Sequence, residues 1–167
     1  MQRLLDSLQT AVRNRNWNAA LFIAMSIPDI CGRIEWPELA GSGNARKRFT
    51  RWFEKCIGGC ISTVLSADDF YLLRCALVHE GSSNFHGRSI GHVSFLAPRT
   101  DGTRGPHDVT LYRSMCLQVD IVCFAMCTAA REWLEGWSQD PAKRRDLELS
   151  MLYIEDNSAT NPPSTPG

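Results

Sequence analysis

The sequence carries no charge excess: 18 Lys plus Arg balance 18 Asp plus Glu over 167 residues. A global field of the kind that draws a protein onto nucleic acid is therefore missing, and any basic footprint has to be local. No long apolar run is present either. The best membrane-span candidate, Ser114 to Ala130, is broken by Gln118 and Asp120 and is short for a bilayer. The opening residues Met1-Gln2-Arg3-Leu4-Leu5-Asp6 lack the apolar core and cleavage site of a secretory signal. A cytoplasmic chain with no membrane partner is expected. Seven cysteines cannot all pair, so a complete disulfide framework is not expected. Zinc-knuckle spacing is absent: Cys56/Cys60 and Cys123/Cys127 suit positions on helix faces, and buried free thiols account for them without a metal or other cofactor. No internal repeat is visible.

What is present is helical patterning. Leu4, Leu5, Leu8 and Val12 recur at helical spacing over Arg3 to Val12, and Asn14-Arg15-Asn16 is a break. From Trp17 the chain is apolar on most sides as far as about Glu35, which places it in a core or an interface. Pro28 kinks or restarts that segment. Trp36 to Gly43 reads as a loop. In the next helix, about Asn44 to Ile57, Phe49, Trp52, Phe53, Cys56 and Ile57 share one side while Lys47, Arg48, Arg51 and Lys55 gather on the other. That basic face is either solvated surface or a stripe contacting phosphates.

Ala67 to Gly81 is the most fully specified stretch. Ser66 suits the N-cap with Asp69 three residues on, Asp68 and Asp69 favour the first turn, and Gly81 offers a left-handed C-terminal cap. Its interior is apolar except for Arg74, and an Arg there needs a partner or a route to water. Asp29 either caps the turn after Pro28 or pairs with Arg74.

Ser82 to Pro106 is Gly- and Ser-rich, with a small hairpin or ordered loop from Ile90–Leu96 and Val109–Leu111. His86, His92 and His107 are expected to face solvent there. Leu111 to about Gly136 reads as the longest helix, with Met115, Val119, Val122, Met126, Ala129 and Trp133 in one stripe. Asp120 within it finds a partner or faces a subunit boundary. A further helix from Asp140 to about Tyr153 and a disordered tail, 157–167, complete one domain spanning 1–156.

Arg74-Cys75-Ala76-Leu77-Val78-His79, ending a helix in a helical chain, resembles the Arg-x4-His signature of the HEPN superfamily. The resemblance extends loosely from Arg3 to Trp137. It implies an all-α HEPN-like helical bundle, here with a small loop or hairpin insertion before the last long helix. It further implies a metal-independent endoribonuclease of toxin–antitoxin or phage-defence systems. A homodimer with a composite catalytic cleft, an RNA substrate and an antitoxin or other protein partner belong to the same implication. Arg74 and His79 match the motif; Asp29, Cys75 and Glu80 would support the site, and Lys47, Arg48, Arg51 and Lys55 would contact RNA. Cys75 departs from the Asn, Asp or His that active members often carry after the Arg. The alternative is a catalytically inactive HEPN-like module binding RNA, nucleotide or a partner protein. In a purely structural role, Arg74 would pair with Asp29 or Asp120 and His79 would cap the helix end.

The chemistry fits the residue types. Without metal, a base must take the 2′-hydroxyl proton and a cation must stabilise the pentavalent phosphate, as His and Arg can. On a uniform α-helix, however, Arg74 and His79 lie about 140° apart. This spacing predicts that two antiparallel copies of the helix are needed to complete a site.

Overall fold

The computed structural model describes residues 1–39, 41–84, 90–141, 145 and 147. The α-helices whose bounds fall among the described residues are α1 (Gln2–Arg13), α2 (Trp17–Glu35), α3 (Ala45–Cys56), α4 (Ala67–Cys75) and α5 (Val119–Ser138), with a π-helical turn at Ala76–Glu80 directly after α4. Three strands, β1 (His92–Leu96), β2 (Val109–Leu111) and β3 (Ser114–Gln118), lie between that turn and α5. The helix expected from Asp140 lies outside the described residues, apart from Asp140, Pro141, Arg145 and Leu147. The expected tail, 157–167, and His86 also fall outside them.

The all-α expectation is overturned by those strands: the chain is mainly helical with a small mixed sheet. The strand order is β1-β3-β2, with β1 parallel and β2 antiparallel to β3. Val93 lies opposite Met115 and Phe95 opposite Leu117. Ile90–Leu96 and Val109–Leu111 therefore do not pair with each other as a hairpin; each lies against one side of β3. The cause of the misreading is specific. Met115, Leu117 and Val119 alternate with Ser114, Cys116 and Gln118 at the strand period of two, yet Met115 and Val119 also fit a helical stripe. In the fold Met115 and Leu117 are buried as strand residues, and the helix begins only at Val119.

One cluster of buried side chains runs from Met1 and Leu5 in α1 to Trp133 in α5 and Leu147. At its centre α2 packs against α1, α3 and α5, burying Ala20, Leu21, Ala24, Met25, Ile27, Cys31 and Ile34. Asn16 caps this helix by accepting from the Ala19 N–H at 3.2 Å. Pro28 is accommodated inside it; lacking an N–H, it leaves the Ala24 carbonyl without its helical donor. The break before α2 carries Arg15 at φ 55°.

At Gly32 the backbones of α2 and α3 meet. A Cβ placed there would stand 2.7 Å from the carbonyl oxygen of Arg48, which is main chain and cannot swing aside. Gly32→Ala is therefore expected to destabilise by roughly 1–3 kcal/mol, read as a lower urea midpoint. An unchanged midpoint would show that the two helices separate freely. A run of aromatics joins α3 to α4: the Phe53 and Phe70 rings stack at 4.6 Å, and Tyr71 meets Phe49 edge-on at 5.6 Å.

Among the described residues no helix is long and apolar enough to cross a membrane. The Ser114–Ala130 stretch is divided between β3 and α5.

Candidate active site around Arg74 and His79

Both ends of the α4 segment are built as the sequence suggests. Ser66 Oγ accepts from the Asp69 N–H at 3.2 Å, and Asp69 Oδ2 accepts from the Ser66 N–H at 3.0 Å, a reciprocal capping box. Asp68 accepts from Arg46 Nε at 2.8 Å. At the other end Gly81 is left-handed (φ 61°, ψ 25°). Its N–H donates to the Leu77 carbonyl at 3.2 Å, while the Ser82 N–H reaches back to Ala76 at 3.1 Å; each bond spans one residue more than in a Schellman motif, as the wider π turn requires.

Between these ends the helix changes pitch, and this alters the site. Residues Ala76–Glu80 form a π turn, whose i→i+5 bonding brings residues five apart over one another. Arg74 Nη1 consequently lies 3.4 Å from His79 Nε2 within a single chain. A second copy of the helix is therefore not needed to bring the two side chains together, because the turn between them is wider than the 3.6 residues of an α-helix. An Arg can only donate, so Nε2 is the acceptor wherever this contact is a hydrogen bond.

The second Nη of Arg74 lies 2.5 Å from Asp29 Oδ2 in α2. Of the two roles expected for Asp29, pairing with Arg74 is the one observed. Asp29, Arg74 and His79 form a row across α2, α4 and the π turn. Their exposure is graded: the Asp29 side chain is 16% exposed, that of Arg74 20%, and His79 lies open to solvent. The Asp29–Arg74 contact is a close charge pair rather than an aligned hydrogen bond, and Asp29 Oδ1 has no hydrogen-bond partner among the described residues.

Burial pushes the Asp29 carboxyl above its ordinary range, and the opposing charges of Arg74 and Arg48 only partly offset this. The sign of the linkage follows. A carboxyl whose folded-state pKa is raised binds its proton more readily folded than unfolded. Its contribution is thus most favourable below the ordinary value of 3.8 and is lost as pH rises through the raised value. Asp29→Asn should therefore gain stability relative to the unaltered protein as pH rises from 3.8 through that window, then hold a constant difference. Urea midpoints of both proteins across mildly acidic pH check this, and a relative loss with rising pH would contradict it.

Two neighbours complete the surroundings. Cys75 is half-buried beside Tyr71, whose phenol is pushed up by burial first and then by its contact with Cys75. Sequence reasoning passed over Tyr71, although its place three residues before Arg74 puts both on one helix face. Glu80 is exposed at the end of the π turn.

The expected RNA-contacting stripe is smaller than its four residues. Arg48 is buried, and its Nη1 donates to the carbonyls of Leu39 and Gly41, the latter at 3.0 Å. It fastens the loop before α3 and is not available to a phosphate. On the helical wheel Arg48 lies at the border between the basic face and Trp52, and the border residue turned inward. Lys47, Arg51 and Lys55 are exposed. Arg51 lies 4.4 Å over the Trp36 ring, and Lys55 pairs with Glu35.

The described histidines outside the site do not simply face solvent. His92 Nδ1 lies 2.8 Å from Asn84 Oδ1 and its Nε2 3.2 Å from Ser94 Oγ. His107 Nε2 donates to the Ile61 carbonyl at 2.9 Å, while Nδ1 accepts from the Gln118 N–H at 2.9 Å, tying β3 to the loop before α4. Both are half-buried network members, which no spacing pattern announces. Asp120 pairs with Arg104 rather than Arg74. All seven cysteines are free. Burial holds the Cys56 and Cys123 thiols protonated, pushed up to about 11 and about 12. Among the described residues no group of three or more His, Cys, Asp or Glu is placed to hold a metal ion.

Comparison of the chain with protein-family models, curated proteins and solved structures finds no match in any of the three. The site stands on its own geometry.

Proposed function

We propose that the chain is a metal-independent endoribonuclease of HEPN type, in a toxin–antitoxin or phage-defence setting, with Arg74 and His79 as its catalytic residues. The observation that carries this reading is the 3.4 Å approach of Arg74 Nη1 to His79 Nε2 at a solvent-facing π turn. A phosphodiester entering there meets a cation and an imidazole at one point. A non-bridging phosphate oxygen takes the Arg74 donor, which frees the Nε2 lone pair to accept the 2′-hydroxyl proton. The 2′-oxygen attacks phosphorus, the bond to the 5′-oxygen breaks, and the leaving oxygen takes a proton from solvent. The products are a 2′,3′-cyclic phosphate and a 5′-hydroxyl. Lys47, Arg51 and Lys55 supply exposed charge for the RNA backbone. Antitoxin or other protein partners belong to the same proposal.

One observation favours the second reading, a catalytically silent module that binds RNA, nucleotide or a partner protein. Asp29 already neutralises Arg74, so part of the cation's attraction for phosphate is answered inside the fold. Incubating purified protein with RNA in chelator and analysing the new ends separates the two. Cyclic-phosphate and 5′-hydroxyl ends that depend on His79 support the nuclease. RNA that is retained by the protein but stays intact supports the module.

A further inference from the structure

Four arginines meet where the loop after β1 docks on the break between α1 and α2. Arg13 ends α1, Arg15 stands in the break, and Arg99 and Arg104 belong to the loop between β1 and β2. All four are exposed. Printed on the backbone, their segments are tied together by specific bonds. The Arg15 guanidinium donates to the carbonyls of Pro98 and Arg99, the latter at 3.4 Å, and lies 5.7 Å over the Trp17 ring. The Arg99 N–H donates to the Thr103 carbonyl at 2.8 Å, closing a turn with Arg99 on one arm and Arg104 following the other. Arg104 Nε donates to Asp120 at 2.7 Å, and Arg13 borders the same hollow as Asp120.

These contacts leave donors over, because a guanidinium carries five N–H groups. Arg104 meets Asp120 through Nε and keeps both Nη groups, and the Arg99 side chain has no hydrogen bond or ion pair among the described residues. Against four guanidiniums the same segments set two carboxylates, Asp101 and Asp120. Asp101 stays charged, held below the usual carboxylate range by hydrogen bonds from Thr103. A net positive patch remains, on a chain whose overall charge is zero. Guanidinium forks in the open suit phosphate oxygens, and four of them suit a run of phosphates rather than one.

The way from this patch to His79 follows α2, which carries the chain about 18 Å from Trp17 to Asp29. No acidic residue stands between those two to repel a polyanion. Phe22 lies on the same helix face as Asp29, seven residues falling about 20° short of two full turns, and is 42% exposed. An open aromatic beside a backbone-binding cluster offers a base a surface to stack on.

We propose that an RNA strand cut at His79 runs along α2, with a base stacked on Phe22 and phosphates held by Arg13, Arg15, Arg99 and Arg104. The surface rests on the nuclease reading for its ligand, and it draws on none of the α3 residues Lys47, Arg51 and Lys55. Covering about 18 Å takes roughly five stacked nucleotides, so a shorter RNA meets His79 without touching the arginines.

A 2′-O-methyl dodecanucleotide, which lacks the attacking hydroxyl, measures binding to the full chain without cleavage. Arg13→Gln with Arg99→Gln removes two exposed charges. The plot of log affinity against log salt should become shallower by about 1.4, and affinity at low salt should fall roughly tenfold. Arg13→Lys with Arg99→Lys should keep the slope, an ammonium being a sufficient point charge for phosphate. Phe22→Ala should weaken binding about fivefold or more and leave the slope alone, since stacking and not charge is lost. In cleavage, the Gln pair should raise KM for the unmodified dodecanucleotide and leave a dinucleotide substrate unaffected. An unchanged slope in the Gln pair, or equal effects on both substrates, would overturn the proposal; poly-glutamate losing its binding in that case would assign the arginines to an acidic protein. The expected slopes with no cleavage of either substrate would support this surface and remove the nuclease reading alone.

Discussion

Replacing His79 with Ala is expected to lower the rate of RNA cleavage in chelator by about 10²- to 10⁴-fold, the range a positioned acid–base group contributes. The effect should be confined to chemistry. His79 is exposed and its described contact is with Arg74, so the change in folding stability should stay within about 0.5 kcal/mol. Arg74→Lys should also be impaired, because one ammonium cannot keep the fork that now meets both Asp29 and His79. Initial rates on a defined oligoribonucleotide measure both. A mixture of His79→Ala and Arg74→Ala proteins adds a further discrimination. A pair that works within one chain gives no recovery on mixing, whereas a pair shared across two copies gives partial recovery. Wild-type rates in His79→Ala would remove this residue from catalysis.

The second large effect concerns the platform beneath the site. Phe53→Ala is expected to destabilise by about 3–5 kcal/mol, as truncation of a buried aromatic generally does. Phe53 is 1% exposed and lies between Phe49 and Phe70, with ring centroids at 6.0 Å and 4.6 Å. Phe70 belongs to α4, so the cavity would open under the helix that carries Arg74. Against a typical total of about 5–15 kcal/mol, the loss is a large fraction of the fold's stability. Denaturant midpoints read it directly, and amide exchange should quicken in α4 in step with the global loss. A loss below about 1 kcal/mol would mean that α3 and α4 close over the gap.

The ends of the α4 segment were legible because capping is local. Ser66, Asp69 and Gly81 announce their roles by residue type, and the structure places each bond accordingly. The Asp29–Arg74 pair was legible as one of two options, since an Arg in an apolar helix needs a carboxylate and Pro28 draws attention to its neighbour. Pitch was not legible. Nothing in Ala-Leu-Val-His-Glu favours a π turn over an α turn by propensity, so the separation of Arg74 from His79 was reckoned at the wrong period. Strand β3 resisted reading for a related reason: Met115 and Val119 fit the helical period while Met115, Leu117 and Val119 fit the strand period, and tertiary pairing with β1 selects the shorter one. Arg48 shows the limit of a helical wheel. A residue at the border of two faces turns whichever way its partners lie, and for Arg48 those partners are the loop carbonyls of Leu39 and Gly41.

The central claim is that one imidazole and one guanidinium, brought together by a π turn, cut RNA. The most direct measurement is cleavage of a single end-labelled RNA in excess chelator by the unaltered protein and by His79→Ala, both shown to be folded. The unaltered protein should give 2′,3′-cyclic phosphate products, and His79→Ala should cut at least about a hundredfold more slowly. Intact RNA with both proteins, or equal cleavage by both, would contradict it.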